Sequence, residues 1–333
     1  MNGRSRLRVA VVGTGSIGEH RVRLCRAAPD VEVAGIVDAR PERAREVAAR
    51  HGVPVWSEAD LRRERLDAAV VSVPSETHAA VAVPLLERGV AVLVEKPIAA
   101  SLEEADRLID LAARRGALLQ VGHTERFNPA VEALRGVCRD PRFIEAHRLG
   151  SFQPRSLDID VILDLMIHDI DVVLELVRSD VERLDAVGVQ ALTTRLDIAN
   201  ARLVFRNGAA ANLTASRISV GKVRKLRVFE NDRYLSLDFA QQEVVQYTVA
   251  PPAAGAPPQV VSRTLPVEHA EPLARELAAF FAAVRTGAAP RVDGRQGRRA
   301  LAVSLEVARR VLEGMERGRA GSEGPCASIP SGG

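Results

Sequence analysis

Short apolar runs punctuate the first third of the chain: LRVAVVG at 7–13, VEVAGIVD at 31–38, DAAVVSVP at 67–74, VAVLVEKP at 90–97 and ALLQVGH at 117–123. Four are continuously apolar, which suits strands covered on both faces of a parallel sheet; the second alternates more. Helix signals lie between them. Pro41 opens PERAREVAARHG and Gly52 closes it, while Ser101-Leu102-Glu103-Glu104 is a capping box whose helix stops at Gly116. Strand–helix alternation of this kind predicts a doubly wound α/β domain over residues 1–121.

The pattern then changes. Residues 160–178 predict one strongly apolar helix. From about 199 the period becomes two: Ala201, Leu203 and Phe205 share a face, Asn207-Gly208 forms a turn, and Ala209, Ala211 and Leu213 follow. KLRVFENDRYLSLDF repeats the theme around Asn231-Asp232. An open, mostly antiparallel sheet with flanking helices is expected over 122–318, with a loop at 251–258 and helices near 271–286 and 296–317. The segment from 319 has no apolar pattern and is expected to be disordered.

Composition narrows the function. The 333 residues carry 47% apolar and 27% charged residues, ordinary for a water-soluble globular chain of two domains. With 46 basic against 43 acidic residues, the net charge of +3 is too small and dispersed to argue for nucleic acid, and 3% aromatics leave little for base stacking. Cys25, Cys138 and Cys326 lack paired spacing, which suggests neither disulfides nor zinc. No apolar run reaches membrane-spanning length, and the arginines before VAVVG make a poor leader. These features lead to an expectation of a cytoplasmic chain without membrane partners.

Candidate chemistry begins at Gly13-Thr14-Gly15-Ser16-Ile17-Gly18, between the first strand and its helix. The first glycine permits a tight turn, the second lets backbone approach a pyrophosphate, and the third permits close helix–strand packing. Ser16 and Ile17 fall in the helix's first turn. Asp38 ends the second strand 20 residues after Gly18, where an acid binds adenosine ribose hydroxyls. Its charge would repel a 2′-phosphate and so favours NAD over NADP. Arg40 could accommodate that phosphate or lie over the adenine.

Asp160, Asp164, His168, Asp171 and Glu175 recur at spacings of four, four, three and four on the otherwise apolar helix; Asp169 is the exception to its apolar remainder. So narrow a polar stripe suggests a mostly buried helix with one edge on a cleft, although a solvated stripe with a satisfied histidine has the same pattern. No third strong ligand has metal-site spacing, so no metal is expected.

A buried strand that ends in Glu95-Lys96-Pro97 places a cation where ligands sit in doubly wound sheets. The glycine loop, this Glu-Lys-Pro and the Asp164-x-x-x-His168 helix, in that order, resemble the Gfo/Idh/MocA (glucose–fructose oxidoreductase / inositol dehydrogenase) family over about residues 7–317. The resemblance implies an N-terminal Rossmann domain for NAD(P) and a C-terminal domain that forms the substrate site and a homodimer or homotetramer. It makes Lys96 the active-site lysine, Pro97 a usually cis proline, and Asp164 and His168 the acid and histidine. Ser72, Pro74 and His78 border the nicotinamide ribose, and Arg126 and Asn128 in GHTERFNP tend to face substrate. GHTERFNP, FQPRSLDIDVILDLMIHDID and DIANARLVFRNGAAANLTASRIS are most similar to sugar-nucleotide 3-dehydrogenases acting on UDP-N-acetylglucosamine. The implied reaction oxidises a secondary alcohol to a ketone. His168 serves as general base and Lys96 as stabiliser of the alkoxide, or the two exchange roles. Arg155, or the cluster Lys222, Arg224, Lys225 and Arg227, is a candidate for substrate phosphates. A free-polyol dehydrogenase and a non-catalytic dinucleotide sensor are the alternatives.

Overall fold

The computed structural model describes residues 6–152, 159–250 and 259–322. Two compact units emerge. One comprises Met1–Ala133 with Pro266–Ala302, the other Leu134–Leu265 with Val303–Gly333. The division expected at 121/122 therefore moves to 133/134, and the first unit is discontinuous: it reclaims a segment near the C-terminus.

The first unit is built on β1 (Leu7–Val12), β2 (Val31–Val37), β3 (Ala68–Val71), β4 (Ala91–Glu95) and β5 (Leu119–Gly122), all parallel, in the order β2-β1-β3-β4-β5. Val9, Val11, Val70, Val92, Leu93 and Val94 are inaccessible to water, which is why the runs are apolar without alternation. The helices are α1 (Ser16–Ala27), α2 (Pro41–His51), α3 (Glu58–Arg63), α4 (His78–Glu87) and α5 (Leu102–Arg115), and α6 (Pro129–Val137) spans the division. Ser101 caps α5 by accepting the Glu104 N–H, and Gly116 ends it in the left-handed conformation. Short α3 has no readable period, but Ser57 and Asp60 cap each other reciprocally at its start. Where β1 and β2 lose register beside Ala10, a β-carbon on Gly35 would come within 2.2 Å of the Trp56 ring.

The second unit carries β6 (Phe143–Leu149), β7 (Val181–Val189), β8 (Ile198–Phe205), β9 (Ala210–Ser216), β10 (Val223–Phe229), β11 (Arg233–Asp238), β12 (Glu243–Ala250) and β13 (Gln259–Thr264). Their order is β13-β12-β11-β10-β6-β9-β8-β7, and the β6–β9 pair is parallel within an otherwise antiparallel sheet. Both turns anticipated at Asn207-Gly208 and Asn231-Asp232 join consecutive strands. The segment 251–258 lies outside the described residues. One face of the sheet is lined by Ile144, Leu203, Leu213, Leu226 and Leu237, all buried. On the opposite face Phe143, Phe229, Tyr234 and Tyr247 form a ladder across four strands, with ring centroids 5.7, 5.3 and 4.2 Å apart.

The helix expected at 160–178 is α7 (Ile167–Val177), preceded by a π-helical turn at Ile162–Met166 in which the Ile167 N–H reaches the Ile162 carbonyl. A π-turn inserts an extra residue, so strict four-residue spacing no longer keeps the polar positions on one line. The chain ends in α8 (Pro272–Thr286) and α9 (Gly294–Ser322). Leu277, Phe280 and Phe281 of α8 pack into the core around Val9, Val22 and Val31, which is why this helix belongs to the first unit. α9 continues through 319–322, expected as part of the tail; residues 323–333 lie outside the described residues.

Candidate functional site

In the first unit the three loop glycines do different work. Gly13 has φ +87°, and a β-carbon there would lie 2.5 Å from the Ser72 carbonyl oxygen. At Gly18 a β-carbon would lie 2.0 Å from the Gly13 carbonyl oxygen, so only glycine lets α1 close on the loop. Beside Gly15 there is open space. No side chain caps α1, whose first amide groups remain for an anion, and Ser16 and Ile17 lie exposed in that turn. The Ser72 hydroxyl is buried without a hydrogen-bond partner among the described residues. An uncapped helix end, the open space beside Gly15 and a buried hydroxyl without a partner among the described residues fit the phosphates of a dinucleotide.

Next to this loop is a largely apolar cavity of about 410 Å³ lined by residues that include Asp38, Leu61, Arg62, Pro74, Val81 and Leu85. Its size and lining suit an adenosine. Asp38 accepts hydrogen bonds from the Thr14 N–H and hydroxyl at 2.7 and 2.8 Å and from the Arg40 N–H at 2.9 Å. Burial alone would raise the pKa of this carboxyl, but these bonds outweigh burial and hold it below its ordinary value. Asp38 Oδ1 accepts only one of them, so it retains capacity for a ribose hydroxyl. The Arg40 side chain is 70% exposed, with Nε 3.8 Å from Asp38 Oδ1.

The Glu95 carboxylate is engaged within the protein. It accepts from Arg21 Nε at 2.9 Å and from Arg21 Nη2. Arg21 is fully buried, and its Nη2 also lies 2.8 Å from Glu276 of α8, itself fully buried. Thr124 donates to Glu276 Oε1 at 3.1 Å. One arginine thus serves two carboxylates. Burial pushes the Glu276 carboxyl up to about 7, only partly offset by the shared Arg21. Glu95 stays below its ordinary value, because Arg21 and then Lys96 outweigh its burial. The cluster anchors the strand end that carries Lys96, whose N–H bonds Glu95 Oε2 at 3.2 Å, and the Lys96–Pro97 peptide is cis.

His78 is 1% exposed, and its ring nitrogens lie 2.8 and 3.0 Å from the Pro97 and Val73 carbonyl oxygens. The ring links the turn after β4 to the turn after β3 and has no nitrogen left for a ribose. Asn128, 2% exposed, caps α6: its Oδ1 accepts the Ala130 N–H at 3.1 Å and its Nδ2 donates to Glu125 at 3.2 Å. Asn-Pro before a helix was the local signal for that role. Arg126 is 3% exposed.

The polar stripe of the second unit separates into distinct roles. Asp160 accepts the Leu196 N–H at 3.0 Å, and Glu175 lies 3.4 Å from Arg135. Asp171 is buried, while Asp164 and His168 are half-buried. Asp169, the apparent exception in the sequence, is 2% exposed and accepts a fork from Arg148 at 2.9 and 2.8 Å. The structure brings Asp164 to a cavity with Arg217, Lys222 and Arg224. Arg155 lies outside the described residues. Sequence reasoning missed Arg21, Glu276, Arg148 and Arg217. Of these only Arg21 left a trace, as a lone charge in the buried row Gly18, Arg21, Val22 and Cys25. Among the described residues no three potential ligands are placed to hold a metal, and no helix is long and apolar enough to cross a membrane.

Residues 7–123 match the model of an oxidoreductase family with an NAD-binding Rossmann fold, and residues 130–232 match the GFO/IDH/MocA C-terminal domain. UDP-N-acetylglucosamine 3-dehydrogenase of Acidithiobacillus ferrooxidans is 38% identical over 90% of this chain and 96% of its own length. A solved structure of that enzyme superposes with a TM-score of 0.87, covering 92% of this chain and 98% of its own. The scyllo-inositol 2-dehydrogenase (NAD(+)) of Bacillus subtilis is 27% identical over 64% of this chain and 68% of its own.

Proposed function

The chain belongs to the Gfo/Idh/MocA family of oxidoreductases, and we propose that it oxidises C3 of UDP-N-acetylglucosamine to a ketone with NAD. The observation that carries this reading is the near full-length similarity to an enzyme of that name. The similarity to the inositol dehydrogenase is weaker, at 27% identity. NAD is favoured over NADP because the carboxylate of Asp38, held ionised at the end of β2, would face a 2′-phosphate.

Bound nicotinamide would accept the hydride released from the carbinol carbon. Lys96 donates to the alcohol oxygen and stabilises the charge that develops there. His168 accepts the hydroxyl proton, and Asp164 orients the histidine. Arg21, Glu95 and Glu276 fix the backbone that presents Lys96. A homo-oligomer, paired through the face bearing the aromatic ladder, and a cytoplasmic setting belong to the same proposal.

Initial rates of NADH formation test it. UDP-N-acetylglucosamine should support turnover and myo-inositol should not; turnover with the polyol alone would overturn the reading. Lys96→Ala should lower kcat by about 10²–10³-fold, the loss typical of one such donor. NAD should still bind to this variant, as measured by calorimetry.

A further inference from the structure

The cavity that holds Asp164 has a volume of about 300 Å³, and four cations, Arg148, Arg217, Lys222 and Arg224, line it with this one acid. Its position explains why charge collects there. Along β10, Leu226 and Val228 are buried on the core side of the sheet, and Arg224 is the next residue of that row. Lys225 and Arg227 point to the other face, where Asp238 lies 3.6 Å from Lys225 and Glu145 lies 3.8 Å from Arg227. The basic run is therefore two groups. Lys225 and Arg227 lie on the open face of the sheet, and Lys222 and Arg224 line the cavity.

Arg224 and Arg148 stand directly opposite each other in the β10–β6 pairing. Like charges in that arrangement oppose folding. Asp169 compensates Arg148 through a buried fork. Arg217, 7% exposed, donates from Nη2 to the Ile159 carbonyl at 2.6 Å, and its own N–H bonds the Asp197 carbonyl. The cavity wall is closed by the Gly150 N–H on the Ser216 carbonyl at 2.8 Å and the Ser219 N–H on the Gly150 carbonyl at 3.0 Å. Two guanidinium forks and an ammonium on a braced wall suit a compact anion with several oxygens and more than one charge.

We propose that this cavity is a diphosphate subsite, in which Arg217, Lys222 and Arg224 hold the diphosphate of a nucleotide-linked sugar while Asp164 addresses the sugar itself. The inference rests on the sugar-nucleotide reading above and adds the part of the molecule that recognises the nucleotide end. Free polyols lack the group this subsite takes, so the subsite is a basis for rejecting them.

Binding of UDP, inorganic pyrophosphate and uridine is measured by calorimetry on the whole chain saturated with NAD, which fills the dinucleotide site. UDP and pyrophosphate should bind and uridine should bind far more weakly. Lys222→Gln and Arg224→Gln should each weaken UDP by about 10- to 100-fold, the range for one charge-assisted contact, and Arg224→Lys should recover part of the loss. Lys222 is exposed, so its variant keeps the fold, and thermal melts verify both. With UDP-N-acetylglucosamine the same variants should raise KM more than they lower kcat. Unchanged UDP affinity in both folded variants, or uridine binding as tightly as UDP, overturns the subsite. If UDP binds as expected but UDP-N-acetylglucosamine is not oxidised, the subsite stands and the assigned reaction falls.

Discussion

At the scale of single residues, Glu276 has the most unusual environment. Burial raises the pKa of its carboxyl, and Arg21, which also balances Glu95, only partly offsets that. Its carboxyl rises from 4.5 in the unfolded chain to about 7 in the fold, so the native state binds the extra proton between these values. The stability it adds is complete below about 4.5 and is lost as pH rises through about 7. Glu95 works in the opposite sense, adding stability above its ordinary value that is lost on acidification. Glu276→Gln should therefore flatten the fall in melting temperature between roughly pH 5 and 8, a difference on the order of 1–3 kcal/mol. Melts of both proteins across that range measure it, and parallel pH profiles would refute the assignment. Arg21 was legible as a charge in an apolar row. Its partner lies at the far end of the chain, and no local pattern announces a contact of that separation.

Among the elements, those fixed by neighbours in sequence were readable and those fixed by packing were not. The five parallel strands, the capped ends of α5 and the Asn207-Gly208 turn each carry their own local chemistry. The π-helical turn at Ile162–Met166 has no such signature, so a five-member stripe was expected where the structure divides those acids among separate partners. Residue type predicted that Asp164 and His168 would be polar on an apolar helix, but not that Asp169 would lock that helix to β6 through Arg148. The lost register at β2 is a second packing feature: Gly35 exists because Trp56 lies on it. Gly35→Ala must displace the ring and should destabilise the first unit by about 1–3 kcal/mol. Trp56 is the chain's single tryptophan, so its fluorescence reports the displacement directly; an unshifted spectrum with unchanged stability would contradict the packing.

For the whole molecule, composition and order of elements were enough to anticipate a parallel sheet followed by a mostly antiparallel one, but not that the chain returns to the first unit after finishing the second sheet. The open face of that second sheet presents its aromatic ladder together with exposed Val187, Val189, Val249 and Val260. A face of this kind invites pairing with another copy. Tyr247→Glu should shift the chain toward monomer in light scattering while leaving the melting of dilute protein nearly unchanged; an unaltered mass would exclude this face. The interrupted first unit also sets an order of events during synthesis. Residues 1–133 leave the ribosome on the order of 10 s before α8 is made. Until then the seats of Leu277, Phe280 and Phe281 remain uncovered, and Arg21 faces Glu95 alone. A fragment of residues 1–133 should bind hydrophobic dyes and aggregate, and joining it by a short linker to 266–302 should restore a soluble, cooperatively melting domain. The nascent chain must hold an unfinished core while it builds another, which makes the hundred-odd intervening residues the interval in which a chaperone would matter most.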